Sequence, residues 1–366
     1  MIDFYIIIIA ILTAVSCAIL GVFLVQRKMA LMSDAISHSV LPGIVVGVII
    51  TADVQSPFLI LGAAATGLLM VFLVETLSRT RLLKEDASVG LIFPALFSIG
   101  VILISRDLAN VHFHESTVLV GDIALSSLNH LYINNIDFGP KTIYVMGGLL
   151  LINIFFITLL FKELKLSTFD AALAAALGFS PLLIHYFFMG LVALTSVASF
   201  DAVGSILVIA LMIAPASAAY LLTDNLKRMV LYSSLIGILS AVCGFFVATI
   251  FNASPSGSMA MTTGFFFLLT YLFAPTRGLL ALKRKRKILH KEFSLQVLLL
   301  HLANHADSAE EQEECKKDNL HLHIDWAENY VNQIINKAVA GKFVYIEKDI
   351  LKLTEQGKIK ANNSFY

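Results

Sequence analysis

The chain has 366 residues, of which 58% are hydrophobic and 14% are charged, and its mean hydropathy is +0.83. A water-soluble globular protein would not tolerate this composition on its surface, so a wholly soluble protein is excluded and a polytopic membrane protein is predicted. The 26 basic and 26 acidic residues cancel, and the three cysteines suggest neither a disulfide framework nor a cysteine zinc site.

Nine apolar segments are long enough to cross a bilayer as helices, since one span needs about 17 to 25 mainly apolar residues. The first segment lacks the basic start of a signal peptide and runs on to Val25, so we expect an uncleaved span. Pro215 is expected to break the seventh predicted span, 202–222. The predicted spans are 4–25, 32–50, 57–77, 88–105, 142–161, 182–199, 202–222, 229–250 and 258–275.

Basic residues are concentrated in every second connection between these spans. They are Arg27 and Lys28, then Arg79, Arg81 and Lys84, then Lys162 and Lys165, then Lys227 and Arg228, and finally the run 283–287. Lys and Arg favour the cytoplasmic side of a membrane, which predicts an outside N-terminus and a cytoplasmic C-terminus. The final basic run is also expected to attract anionic membrane lipid.

The second predicted span carries two ionisable side chains, Asp34 and His38, four residues apart. Positions i and i+4 share one face of a helix, so both side chains should point the same way. Ionisable groups within a membrane segment are costly and indicate a functional site. Pro42 and Gly43 then interrupt the helix. A broken membrane helix with one carboxylate and one imidazole suits a divalent metal ion in transit.

The longest polar break in the membrane region, residues 106–141, is predicted to face outward. It contains His112, His114 and Glu115, which could collect a metal ion or contact a delivery protein. A solvated loop with short interfacial helices explains the same residues, because a His-x-His spacing alone is a weak ligand pattern.

Residues 167–181 form a short inward connection of a different kind. Ser167 or Asp170 can cap an alanine-rich helix, Gly178 can end it, and Pro181 prevents its continuation. A short helix between two spans on the cytoplasmic side would be a docking element for another protein. An ordinary helical turn is the alternative interpretation.

The membrane region is expected to cover residues 1–282, and residues 283–366 are expected to form a small cytoplasmic domain. A first helix is predicted to bury Phe293, Val297, Leu298, Leu300 and Leu302. A second helix at about 324–340 precedes two strand-like runs, 343–346 and 350–353, and a last helical turn at 354–363. This α+β order is typical of a winged helix.

Three parts of the membrane region together resemble the integral permease of metal-ion ABC importers, which bring in zinc, manganese or iron. They are Ser33-Asp34-Ala35-Ile36-Ser37-His38-Ser39-Val40-Leu41-Pro42-Gly43, then Phe169-Asp170 with Leu177-Gly178, and then Val203-Gly204 with Ala214-Pro215-Ala216. The resemblance covers about residues 1–280. It implies that Asp34 and His38 match the intramembrane metal ligands of the family. It also implies that 169–178 is the coupling helix, which fits into a groove of the ATPase subunit.

The resemblance also implies a bacterial inner or cell membrane protein that is a transport subunit and not an enzyme. The sequence has no Gly-x-x-x-x-Gly-Lys-Ser/Thr motif for binding phosphate, so ATP would be bound by a partner. The expected partners are an ABC ATPase subunit, an extracytoplasmic metal-binding protein, and a second permease that is either a copy or a related chain. No cofactor is expected on this chain, because the metal ion is its cargo.

The C-terminal region resembles the winged-helix part of metal-responsive repressors of the diphtheria-toxin-repressor type, with Leu353-Thr354-Glu355-Gln356-Gly357 similar to the end of the wing. From residue 288 there are nine basic and twelve acidic residues, whereas a DNA-binding face should be basic. We therefore expect a regulatory or assembly domain and no nucleic-acid partner. Four histidines could make the domain metal-sensing, or could be surface residues without that role: His301, His305, His321 and His323.

Two alternatives to metal-ion import stay open at this point. The chain could be a membrane-tethered, metal-responsive regulator in which the spans are only an anchor, although this leaves Asp34 and His38 unexplained. It could also transport a bulkier cargo such as a siderophore or cobalamin. One Asp and one His suit manganese, zinc and iron alike, so the residues do not choose among them.

Overall fold

A computed structural model describes residues 2–51, 58–107, 123–133, 136–306, 308, 311–324 and 326–362. The chain divides into two compact units, Met1–Gly278 and Leu279–Tyr366. The boundary lies just before the basic run 283–287, because the helix that carries this run begins at Leu279. Each unit has its own core of buried apolar side chains.

The first unit, called here the membrane unit, is helical except for one antiparallel hairpin among its described residues. Its elements in chain order are α1 (Ile2–Gln26), α2 (Ala30–Ser39), α3 (Leu41–Thr51), α4 (Phe58–Arg79), α5 (Glu85–Asp107), α6 (Ile123–Ser126), β1 (His130–Ile133), β2 (Ile136–Pro140), α7 (Lys141–Leu159), α8 (Phe161–Phe169), α9 (Ala171–Ala176), α10 (Pro181–Val203), α11 (Ser205–Leu222), α12 (Leu226–Phe251) and α13 (Pro255–Phe273).

Nine helical segments of the described residues are long and apolar enough to cross a membrane. One of them, Ala30–Thr51, consists of α2 and α3 together, and the others are α1, α4, α5, α7, α10, α11, α12 and α13. Each predicted span overlaps one of these segments. The expectation of an all-α, nine-span region is confirmed, and the chain is a multi-pass membrane protein.

The helices of the membrane unit pack in two groups that share α10. Helix α1 contacts α7, α11 and α12, whereas α4 contacts α3, α5 and α10. Gly21 allows the closest approach, since a Cβ atom at this position would lie 1.8 Å from the main-chain oxygen of Met212 in α11. Small residues are the usual means of bringing two membrane helices together.

Gly204 and Pro215 affect the backbone at α11 in different ways. Gly204 separates α10 from α11 with a φ of 86°, a conformation that favours glycine. Pro215, in contrast, lies inside α11, which continues without interruption to Leu222. The prediction that Pro215 breaks this span was wrong. One lost main-chain hydrogen bond is tolerated in a membrane helix when neighbouring groups compensate for it.

The second unit, called here the C-terminal unit, mixes helices with one antiparallel hairpin. Its elements are α14 (Leu279–His305), α15 (Glu311–Glu314), α16 (Leu320–Ile324), α17 (Glu328–Ala340), β3 (Val344–Glu347), β4 (Ile350–Leu353) and α18 (Glu355–Asn362). In the hairpin Val344 pairs with Leu353 and Glu347 with Ile350. The order of elements agrees with the sequence pattern, and the winged-helix interpretation stays a prediction.

The buried face of α14 differs from the predicted one. Leu298 and Leu302 are buried as expected, but Phe293 is 65% exposed, and Val297 and Leu300 are only half-buried. The remaining buried leucines are Leu295 and Leu299. The spacing 295, 298, 299 and 302 is that of one helix face, and this face packs against the buried side of α17.

Candidate functional site

Asp34 and His38 lie on the same face of α2, as their spacing predicted. The Nε2 atom of His38 lies 3.5 Å from Oδ1 of Asp34, and the side chains are 33% and 47% exposed, respectively. One divalent ion with bonds of about 2.0 to 2.2 Å can contact both atoms at this separation. Since neither side chain is enclosed, the pair is accessible to further ligands from outside this chain.

The opposite face of α2 is fixed by buried contacts. Ser33 donates a hydrogen bond from Oγ to Sδ of Met212 in α11, at 2.9 Å, and Ser37 donates to the main-chain oxygen of Ser33 at 2.7 Å. Ala35 and Ile36 are also buried. The bond from Ser33 to Met212 and the burial of these side chains orient α2 so that Asp34 and His38 remain on its accessible side, whereas the Ser37 bond lies within α2 itself.

The predicted interruption after His38 is present. Helix α2 ends at Ser39 and α3 begins at Leu41, so that Pro42 lies in the first turn of α3, where a missing N–H group has little cost. A Cβ atom on Gly43 would lie 2.2 Å from the main-chain oxygen of Gly62 in α4. This close approach of two backbones fixes the start of α3 against α4, just after the Asp34 and His38 pair in the chain.

The connection 167–181 folds into the short helix that its sequence suggests. Asp170 accepts a hydrogen bond from the Leu173 N–H at 2.9 Å and so caps α9, while Gly178 has a φ of 87° just after the helix. Ser167 is not the cap, because it lies within α8 and its hydroxyl donates to the main-chain oxygen of Leu164. Ser180 and Pro181 begin α10.

Apolar side chains of this connection are left on the surface. Four large ones in 169–179 are more than one-third exposed: Phe169, Leu173, Leu177 and Phe179. They follow one another closely around α9 and belong to a segment outside the membrane-spanning helices. A contiguous apolar surface of this kind usually marks a site of interaction with another protein.

Arg27 connects this segment to α10, a role that the sequence did not reveal. Its guanidinium group lies within 3.1 to 3.2 Å of side-chain atoms of Ser167, Thr168 and His185 and 4.9 Å from the ring centre of Phe188. Burial lowers the pKa of Arg27 to about 10, so the group remains charged at neutral pH. From the sequence, Arg27 indicates only the orientation of the first span.

A cleft of about 290 Å³ lies beside this network. Met29, Met32, Val74, Glu75, Ser78, Arg79 and His185 line it. Glu75 accepts hydrogen bonds from Tyr186 at 2.5 Å and from Arg79 at 2.8 Å, so its carboxylate is fully engaged. The only sequence signal for this group is one acidic residue near the end of a predicted span.

The outward residues His112, His114 and Glu115 lie outside the residues that the structure describes. Their suggested role in collecting a metal ion therefore stays a prediction.

The fold and these sites agree with the outcome of comparison with known proteins. Residues 4–274 match the family described as ABC 3 transport family. The chain belongs to the ABC 3 transport family. The match overlaps all nine candidate spans, includes the Asp34 and His38 pair and the 167–181 connection, and ends shortly before the C-terminal unit.

Two relatives of this ABC 3 chain align with different lengths of it. The manganese transport system membrane protein MntD of Bacillus subtilis is 45% identical over 282 residues, which is 77% of this chain and 95% of the relative. The zinc transport system membrane protein TroD of Treponema pallidum is 40% identical over 352 residues, which is 96% of each chain. The second alignment therefore extends through most of the C-terminal unit.

Among solved structures, PsaBC from Streptococcus pneumoniae in complex with Fab is similar to the chain. The superposition has a TM-score of 0.62 at 30% sequence identity, and covers 76% of this chain and 94% of the other. The importer-permease fold expected for the membrane region is confirmed.

Proposed function

We propose that the chain is the permease subunit of an ATP-driven importer for manganese or zinc ions, which pass the Asp34 and His38 pair. The observation that carries the proposal is this pair within a membrane segment of an ABC 3 transport protein. One carboxylate and one imidazole are suitable ligands for either metal. Manganese and zinc are the cargoes named for the relatives MntD and TroD.

The exposure of the pair supports a path shared by two permease subunits. Two ligands from one chain leave several coordination positions of the ion open, and a site that is not closed can release its ion. A second permease, either a copy or a related chain, would present its own ligands to the accessible side of α2.

The ATPase subunit is proposed to dock on the 167–181 connection. The exposed apolar side chains of 169–179 supply the contact surface, and Arg27 would transmit movement from this connection to α10 through its contacts with Thr168 and His185. Because Lys and Arg favour the cytoplasmic side of a membrane, we propose that this side faces the cytoplasm and that the N-terminus lies outside. An extracytoplasmic metal-binding protein would then deliver the ion from the opposite side.

The other functions considered have less support. Neither the ABC 3 match nor the relatives described above favour a membrane-tethered regulator, and none of these relatives is named for iron. A siderophore or cobalamin would need a wide apolar cavity, whereas a carboxylate and an imidazole 3.5 Å apart in a membrane segment favour a bare metal ion.

Reconstitution in liposomes tests the metal path. The chain would be combined with its ATPase and binding protein, and uptake of manganese and zinc would be compared for wild type, Asp34→Ala and His38→Ala. Both variants should lose uptake while the complex still assembles. The metal ion whose uptake is lost is the cargo. His321→Ala, a histidine of the C-terminal unit, is the control that should transport normally. Retained uptake in both variants would contradict the assignment.

A second experiment tests the docking surface. Leu177→Asp places a charge on the exposed apolar surface and should prevent the ATPase from copurifying with the chain. Leu128→Asp is a matched control, because Leu128 is similarly exposed, at 57% against 61%, beside the β1 and β2 hairpin. Equal recovery of the ATPase with both variants would exclude this surface as its docking site.

A further inference from the structure

A second group of metal-ligating side chains lies in the C-terminal unit, apart from the Asp34 and His38 pair. His301 and His305 are one turn apart on α14, with ring centres separated by 4.8 Å, and Glu314 is the last residue of α15. One possible ligand atom from each of these three side chains lies within 4.8 Å of the other two. The group therefore combines two imidazoles with one carboxylate.

His323, on α16, fixes the carboxylate of this group. Its Nδ1 atom lies 2.9 Å from Oε2 of Glu314, and its ring stacks against that of His301 with a centre distance of 6.5 Å. Nε2 of His301 lies 3.8 Å from the same Oε2 atom and 3.1 Å from the main-chain oxygen of Glu314. Glu314 thus lies between two histidines contributed by different helices.

The backbones that carry these side chains are held by the core of the unit. Leu302, Cys315 and Leu320 are buried in one apolar cluster and lie next to or near His301, Glu314 and His323 in the sequence. The side chains themselves retain a little exposure, 15% for His301, 24% for Glu314 and 26% for His323. This combination of a fixed backbone and an accessible edge suits a site that exchanges its ion with solvent.

We propose that His301, His305 and Glu314 bind a divalent transition-metal ion, with His323 orienting the carboxylate of Glu314. Two imidazoles and one carboxylate with an open fourth position favour zinc over the harder ions magnesium and calcium. Tetrahedral zinc with bonds of about 2.0 to 2.1 Å sets its ligand atoms about 3.3 Å apart, so side-chain rotation must bring the three atoms together. A histidine that hydrogen-bonds a ligating carboxylate is a common second layer of such sites.

The site gives the C-terminal unit a function that the family match does not include. If the chain imports a metal ion of this class, a site on its C-terminal unit can respond to the ion that has entered. This regulatory role depends on the proposed import function, whereas metal binding by the three side chains does not. The experiment is therefore a binding measurement on the permease alone.

The full-length chain would be purified in detergent with an affinity tag that contains no histidine. Asp34→Ala, His38→Ala, His112→Ala and His114→Ala would be introduced first, so that neither the membrane pair nor the outward histidines contribute binding. Zinc would be titrated by calorimetry, and cobalt by its ligand-field absorption. We expect one zinc ion per chain in this background, with the cobalt spectrum of a nitrogen and oxygen site.

Three variants and one control assign the ligands. His301→Ala combined with His305→Ala should weaken zinc binding at least about 100-fold, and His323→Ala about 10- to 100-fold as expected for an orienting group. Glu314→Gln keeps the size of the side chain but replaces one carboxylate oxygen with an NH2 group, which cannot bind a metal ion, and should therefore weaken binding. His321→Ala should bind zinc normally, since this histidine contacts the main-chain oxygen of Asp318 and lies outside the group.

The fluorescence of Trp326, the single tryptophan of the chain, shows whether each variant keeps a folded C-terminal unit. A folded double histidine variant that binds zinc as well as His321→Ala would overturn the proposal, and so would a background chain that binds no zinc. Because the titration needs no ATPase, failure of this site leaves the import function untouched, and failure of import leaves the site untouched.

Discussion

The two units of the chain both bury apolar side chains, but they differ in how many polar side chains they bury with them. Among the described residues, the interior of the membrane unit holds many serine and threonine side chains, together with Asn153, while large apolar side chains face outward. The C-terminal unit has an interior of leucine, isoleucine and valine in which Ser294 is the one buried polar side chain described. In water, burial of apolar surface drives folding, whereas in lipid it does not favour one helix contact over another.

The membrane unit must therefore be held by close packing and by hydrogen bonds between helices. Gly21 against Met212 and Gly43 against Gly62 bring backbones together, and Asn153 donates from Nδ2 to Oγ1 of Thr195 at 3.0 Å between α7 and α10. The C-terminal unit instead depends on interlocking aliphatic side chains of α14 and α17. Substitutions that disturb either kind of packing should therefore destabilise the unit that depends on it.

Leu299→Ala should have the largest effect, because it removes a fully buried side chain from the core of the C-terminal unit. A loss of about 2 to 5 kcal/mol in the free energy of unfolding is expected for such a cavity. Urea unfolding of the full chain, followed by Trp326 fluorescence, would measure it. Leu322→Ala is the control, since Leu322 is 69% exposed, and an equal loss in both variants would show that the buried core is not decisive.

Gly21→Ala should destabilise the membrane unit, because the new methyl group would lie 1.8 Å from a backbone oxygen that cannot move aside easily. The expected loss is about 1 to 3 kcal/mol, measured by heating the protein in detergent and following the remaining monodisperse fraction. Gly264→Ala in α13 should unfold like wild type, because nothing lies within 4 Å of its added carbon. Similar behaviour of the two variants would contradict the close-packing account.

Asn153→Ala should destabilise the membrane unit by about 1 kcal/mol, the usual size of a hydrogen bond between membrane helices. The same heating assay would detect it as a small decrease in midpoint. Thr195→Ala should have a similar effect, and the double variant should lose less than the sum because the two residues bond to each other. Additive losses would indicate that the bond does not stabilise the helix pair.

The smallest effect concerns the exposed β1 and β2 hairpin. The Gly139 N–H and His130 both bond Asp137 and lower the pKa of its carboxyl group. A lowered pKa stabilises the hairpin at neutral pH, and this stabilisation disappears as the pH falls through the lowered value. Asp137→Asn should therefore increase amide hydrogen exchange of the hairpin about 2- to 5-fold at pH 7, the range for an exposed ion pair.

The same comparison over a series of decreasing pH values completes this test. As the pH falls through the lowered pKa of Asp137, its carboxylate becomes protonated, so the difference in exchange between the two proteins should disappear. A difference that keeps the same size throughout the series would show that the charge of Asp137 is not responsible.

Elements whose signal is local could be predicted from the sequence. Each of the nine predicted spans overlaps a helix, because length and apolar composition are enough to identify a span. The caps at Asp170 and Gly178 and the β3 and β4 hairpin are also local features. The buried face of α14 was only partly predicted, because a helix rich in leucine offers several apolar faces and its partner α17 decides among them.

The membrane class, the spans and the i, i+4 arrangement of Asp34 and His38 thus follow from the sequence alone. Which distant residues meet is set by the packing of the helices, as for Arg27 with Thr168, Glu75 with Tyr186, and His301 with Glu314 and His323. The physical reason is that composition and spacing act within one element. A contact between elements depends on how helices pack, and in a membrane an apolar surface alone does not specify that packing.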